Sequence, residues 1–188
     1  MNKLNTSKIV LVTGGSRSGK SEFAEVLAAR FNKSVVYIAT AKVDDSDPQW
    51  QARIVQHQQR RPTTWQTETI FDTQLSLYIT QATASQCLLI DSLGTWIANF
   101  LDLDPEEWTQ VSSNFLLALE TSKADIILVG EETGWGVVPA YHSGRLFRDR
   151  LGYLSRQIAN IANTTYLVAG GHVLNLSVLG KPLSNYKI

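Results

Sequence analysis

The stretch Ile9-Val10-Leu11-Val12-Thr13-Gly14-Gly15-Ser16-Arg17-Ser18-Gly19-Lys20-Ser21 runs from an apolar tetrad into a glycine-rich turn and on into a segment with helical spacing. Residues Gly14 to Ser21 fit the pattern G-x-x-x-x-G-K-[ST], between a predicted strand and a predicted helix, which is the setting the pattern requires. Glycines let the backbone curl so that successive N–H groups face phosphate oxygens, and the positive end of the following helix points at the same place. The pattern assigns Lys20 to the β- and γ-phosphates and the Ser21 hydroxyl to Mg2+. The competing reading is a glycine turn that carries Lys-Ser by coincidence.

Outward from this loop, short runs rich in Val, Ile and Leu recur at Val35–Ala39, Cys87–Ile90, Ile126–Val129 and Tyr166–Ala169. Strands buried on both faces read this way. Helical spacing occupies 21–31, 48–60, 72–82, 105–122 and 140–163, so the alternation predicts an α/β fold with a mainly parallel central sheet flanked by helices. Thr63–Glu68 is a weaker strand candidate. Asp47-Pro48 and Asp104-Pro105 each set a capping carboxylate before a proline at the first helical position. Leu146, Phe147, Leu151, Leu154, Ile158 and Ile161 form a core stripe, with Arg145, Arg148 and Asp149 near its edge.

The 188 residues, 44% hydrophobic and 18% charged, suit one globular domain spanning 1–188 and exclude bulk disorder. Lys plus Arg and Asp plus Glu both number 17, so no nucleic-acid partner is announced. Cys87 is the single cysteine and lies in an apolar run, as a buried thiol in a reducing compartment would. No run approaches a membrane span or a secretory signal, and a soluble, cytoplasmic protein is expected.

In open α/β sheets ligands gather beyond the carboxyl ends of the strands, which directs attention to Thr40, Ala41 and Lys42, to Asp91-Ser92, and to Glu131 through Gly136. Asp91 ends an apolar strand and is the Walker B candidate for Mg2+; its other reading is a cap for a helix over 92–100. Arg53, His57 and Arg61 fall at i, i+4 and i+8. On a helix they make either a solvated basic face or an anion site in which nearby positive charge keeps the imidazole neutral and nucleophilic. Glu132, just before a Gly134-Trp135-Gly136 loop, is a candidate base for a kinase step, a metal-water ligand or a partner of Arg148.

The loop T-G-G-x-R-S-G-K-S (Thr13 to Ser21), Tyr37-Ile38-Ala39-Thr40, R-I-x-x-H-x-x-x-R-P (Arg53 to Pro62) with Trp65, and Asp91-Ser92-Leu93 resemble the bifunctional adenosylcobinamide kinase / adenosylcobinamide-phosphate guanylyltransferase family. Glu132-x-Gly134-x-Gly136-Val137-Val138-Pro139 and Arg145-x-Phe147-Arg148-Asp149-x-x-Gly152 extend the resemblance, collinear from about residue 8 to 170. It implies a RecA-like P-loop fold and a homo-oligomer, a trimer. The implied chemistry is phosphorylation of adenosylcobinamide by ATP or GTP, then transfer of GMP from GTP to adenosylcobinamide phosphate through a guanylylated histidine, here His57. Implied nucleotide contacts are Gly14, Gly15, Ser16, Arg17, Ser18, Gly19, Lys20, Ser21, Thr40, Ala41, Lys42, Gln58, Gln59, Arg60, Arg61 and Asp91, with Ser21 and Asp91 on the metal.

Three departures stand out against the family pattern. Glu131 replaces the usual Asn and is expected to add negative charge near the phosphates. Gly152-Tyr153-Leu154-Ser155-Arg156 replaces Gly-Arg-Leu-Asn-Gln. Thr69 stands where a glutamate is expected after Trp65, leaving Glu68, one residue earlier, as the implied ribose or base contact. The alternatives are a plain P-loop kinase with a structural His57, a RecA-like ATPase and a GTP switch. Balanced charge disfavours a nucleic-acid motor, and neither Asn-Lys pair carries the aspartate of a switch.

Overall fold

The computed structural model describes residues 7–42 and 60–186. Among the described residues seven strands form one sheet: β1 (Ile9–Gly14), β2 (Ser34–Ala39), β3 (Gln66–Thr69), β4 (Gln86–Asp91), β5 (Asp125–Glu131), β6 (Thr164–Ala169) and β7 (His172–Asn175). Their order is β3-β2-β4-β5-β1-β6-β7. Every pairing is parallel except β6 with β7. The helices are α1 (Lys20–Arg30), α2 (Gln74–Gln81), α3 (Leu93–Ala98), α4 (Pro105–Thr121), α5 (His142–Ile161) and the short α6 (Leu176–Leu179).

Side chains alternate across a strand, and that alternation sorts the core into two layers. Val10, Val12, Tyr37, Cys87, Leu89, Ile127 and Val129 face α1, packing on Ala24 and Ala28. Leu11, Ile38, Leu88, Ile90, Ile126 and Leu128 face α2 to α5. The second layer is the heavier one: fully buried Trp96 lies 4.5 Å from the Phe115 ring and 4.9 Å from that of Phe100. Of the expected stripe on α5, Leu151, Leu154 and Ile158 are buried and Phe147 packs against them.

The predicted strands and helices are present where the chain is described, with ends shifted by a few residues. The weak 63–68 strand is β3, at 66–69. The antiparallel β7 and short α6 carry no pattern in the sequence, because exposed four-residue elements have no long apolar run. Asp104 caps α4 as expected, accepting from the amides of Glu106 and Glu107, with Pro105 in the first turn. The Asp47-Pro48 start lies outside the described residues. Among the described residues no helix is long and apolar enough to cross a membrane.

Candidate nucleotide site

β1 delivers the chain to the turn Gly15–Gly19, and α1 begins at Lys20. Gly14 passes so close to the Val168 carbonyl of β6 that a Cβ has no room. Gly19 caps α1 with φ 94°, a left-handed conformation glycine adopts without steric cost. Arg17 adopts φ 58° inside the turn, which costs a non-glycine residue about 1–2 kcal/mol, and its side chain is exposed. The Lys20 ammonium donates to the Gly15 carbonyl at 3.2 Å, folding across the loop. The Ser18 hydroxyl is buried without a hydrogen-bond partner among the described residues.

Asp91 ends β4, separated from β1 by β5 alone. By alternation from Cys87 and Leu89 it belongs to the α1 face, and its Oδ2 accepts from the Tyr37 hydroxyl at 3.1 Å. Asp91 does not cap the next helix. Ser92 does, in a capping box with Thr95.

The two arginines at the end of the histidine segment are docked on different elements. Arg60 pairs with Glu22 at 2.7 Å and Glu25 at 3.5 Å, both on α1. Arg61 lies over the Tyr37 ring, 3.7 Å from its centroid, and donates to Thr67 Oγ1 at 3.2 Å. Arg53, His57, Gln58 and Gln59 lie outside the described residues. The carboxylates that hold Arg60, Glu22 and Glu25, stand at i and i+3 on α1, a spacing visible in the sequence.

Other sequence-predicted contacts are placed differently from one another. Thr40 is fully buried, its hydroxyl donating to the Ser92 carbonyl at 2.6 Å and accepting from the Ser92 amide at 2.8 Å. It thus ties β2 to the start of α3. Ala41 is half-buried and Lys42 exposed. Glu68 pairs in register with Ile38 and lies beside Tyr78 of α2, with Gln66 donating to it at 2.6 Å. The structure puts Glu68 on the face opposite Asp91, away from the phosphate turn.

Glu131, at the end of β5, is the register partner of Gly14. Its carboxylate accepts from the Gly94 amide at 2.8 Å and from the Ser92 hydroxyl, capping α3. The Glu132 amide donates to the Gly14 carbonyl at 2.9 Å, and its carboxylate closes a turn by accepting from the Gly134 amide at 2.6 Å. Arg148 donates to the Gly134 carbonyl at 3.1 Å rather than pairing with Glu132. Thr13, Glu131, Glu132, Arg148, Ser155 and Arg156 help line a pocket of about 280 Å³ beside this turn. Arg150 gave no sequence signal: it is buried, donating to the carbonyls of Phe100 and Leu103 and stacking on Trp108, and burial lowers its pKa.

A glycine turn on β1 opening α1, and a carboxylate ending a strand one removed from it, define a P-loop nucleotide-binding protein of RecA-like layout. A solved structure from Pyrococcus horikoshii OT3 shares this fold, with TM-score 0.55 at 7% identity over 90% of this chain and 85% of that one. A family model described as CobU, cobinamide kinase / cobinamide phosphate guanyltransferase, matches residues 10–176. The chain belongs to that family. The bifunctional adenosylcobalamin biosynthesis protein CobP of Pseudomonas aeruginosa is 39% identical over 92% of this chain and 98% of its own length. The Escherichia coli protein CobU, named as having the same bifunctional role, is 33% identical over 87% of this chain and 96% of its own.

Proposed function

We infer that the protein phosphorylates adenosylcobinamide and then guanylylates the resulting phosphate. The observation that carries this reading is a shared face: α1, Asp91 and the two arginines that follow His57 all meet on one side of the sheet. In the kinase step ATP or GTP lies with its phosphates on Gly14 to Ser21. The aminopropanol hydroxyl oxygen attacks the γ-phosphorus, the bond to the bridging oxygen breaks, nucleoside diphosphate leaves, and Glu132 takes the hydroxyl proton. The pocket beside Glu132 receives the aminopropanol arm.

In the transferase step an imidazole nitrogen of His57 attacks the α-phosphorus of GTP, forming an N–P bond as pyrophosphate leaves. An acceptor phosphate oxygen then attacks the same phosphorus, the N–P bond breaks, and adenosyl-GDP-cobinamide forms with the imidazole regenerated. Lys20, the loop amides, Arg60 and Arg61 offset the charge on the phosphates. The Ser21 hydroxyl and Asp91 carboxylate are hard oxygen donors of the kind Mg2+ takes alongside substrate phosphates, and the bound ion would supply further charge neutralisation. The family resemblance also supports a homotrimer. Apolar side chains exposed at Trp135, Val137 and Tyr141, and at Val178 and Leu179 near the C-terminus, are consistent with buried contact between copies.

The test is incubation with GTP labelled at the α-phosphate, denaturation, and assay for an acid-labile, base-stable protein adduct. Wild type is expected to label and to pass label to added adenosylcobinamide phosphate. His57→Ala and Lys20→Ala are expected not to label. Full labelling of His57→Ala removes the covalent role.

A further inference from the structure

Tyr37 stands where the two halves of the site meet. It is 5% exposed, on the α1 face of β2. Its hydroxyl reaches Asp91 Oδ2 at 3.1 Å, and Arg61 covers its ring at 3.7 Å. Thr67, which accepts from Arg61, is the cross-strand partner of Tyr37 in the β2–β3 register. The arginine is therefore seated on two neighbouring side chains of one sheet face. One residue earlier in the chain, Arg60 is tied to α1, the helix that the phosphate turn opens.

We propose that Tyr37 is a positioning residue for guanylyl transfer: its hydroxyl orients the Asp91 carboxylate, and its ring seats the arginine that ends the His57 segment. This rests on the function inferred above. A carboxylate with one oxygen held by a neutral donor keeps a set direction for its other oxygen, as outer-shell partners do for metal ligands. A guanidinium stacked on a ring loses conformational freedom, so Arg61 is held in place.

The test separates the two tasks by substitution. Tyr37→Phe keeps the ring and loses the hydroxyl; Tyr37→Leu loses both; Arg61→Ala loses only the seated cation. Mn2+ affinity of protein saturated with a non-hydrolysable GTP analogue, read by electron paramagnetic resonance, reports on Asp91 without turnover. It is expected to weaken about 10-fold in Tyr37→Phe and Tyr37→Leu and to stay at the wild-type value in Arg61→Ala. Single-turnover adduct formation from α-labelled GTP at saturating metal is expected near wild type in Tyr37→Phe. It is expected to fall about 10- to 100-fold in Tyr37→Leu and Arg61→Ala, the scale of a misplaced reacting group.

Kinase turnover at saturating metal, retained in Tyr37→Phe and Tyr37→Leu, shows that the phosphate turn is still folded. Unchanged Mn2+ affinity in Tyr37→Phe overturns the orienting role. An adduct rate in Tyr37→Leu equal to that of Tyr37→Phe overturns the seating role, as does loss of kinase and adduct together. Absence of an adduct in wild type would instead sink the transferase reading itself.

Discussion

The Glu131 carboxylate sits on the N-terminus of α3, 2.8 Å from the amide nitrogen of Gly94 and bonded also to the Ser92 hydroxyl. Gly94 has no side chain at the point where the carboxylate lies, and a Cβ there would collide with it. A negative group at a helix start satisfies amides that have no partner within the helix and complements the positive end of the dipole. The extra charge expected beside the phosphates is thus committed to holding α3. Glu131→Ala is expected to cost about 1 kcal/mol, the usual loss of a cap, or roughly 2–4 °C in melting temperature for a chain of this size. Glu131→Gln, which keeps an acceptor, should recover most of it in the same thermal melt.

Trp96 anchors the heavier core layer. Besides its ring contacts, its indole N–H donates to the Asp72 carbonyl at 3.2 Å, tying α3 to the chain leading into α2. Trp96→Ala is expected to destabilise by about 3–5 kcal/mol through cavity formation, a large share of a typical stability of about 5–15 kcal/mol. Urea denaturation measures it, and a loss below about 1 kcal/mol would contradict the packing described.

Cys87 lies under α1, with burial pushing its thiol up to about 12 and the nearby Asp125 carboxylate adding to the rise. The thiolate is the reactive form, so native protein near neutral pH should react with a disulfide reagent only after denaturant is added. Prompt stoichiometric reaction of the folded protein would contradict this.

Burial raises the Glu25 carboxyl above the usual carboxylate range; Arg60 opposes the rise and Asp91 adds to it. The folded state therefore holds this proton more tightly than the unfolded chain. The stability that follows is fully present below the unfolded value and is lost as pH rises through the folded value. Glu25→Gln removes that loss. The stability of the Gln variant relative to wild type is expected to increase as pH goes from about 4 to about 7. A difference that shrinks over the same range would mean that the ionised pair with Arg60 outweighs burial.

Local patterns reached far along this chain. The Gly14–Ser21 turn, the apolar runs and the Asp104-Pro105 helix start are each written in a few consecutive residues, and their physics is local: φ freedom, period-two burial, a cap. The same locality explains where the patterns stopped. Asp91 reads equally as metal ligand or cap, and only the fold shows Ser92 taking the cap. Glu68 sits beside an expected contact position, yet register puts it on the wrong face, because one residue along a strand reverses the side. Arg150 looks like any helical arginine until α5 packs on the Phe100 and Leu103 carbonyls.

From its sequence alone this protein is a nucleotide-binding α/β domain with a resemblance to one family, since a phosphate turn and its flanking elements are encoded by neighbours in the chain. What joins Tyr37 to Asp91 and Arg61, or Glu131 to Gly94, spans 54, 24 and 37 positions. Those contacts exist only once strands β2, β4 and β5 are aligned in register, because hydrogen bonding and stacking act over a few ångströms and no short-range pattern records which distant residues will share a sheet edge.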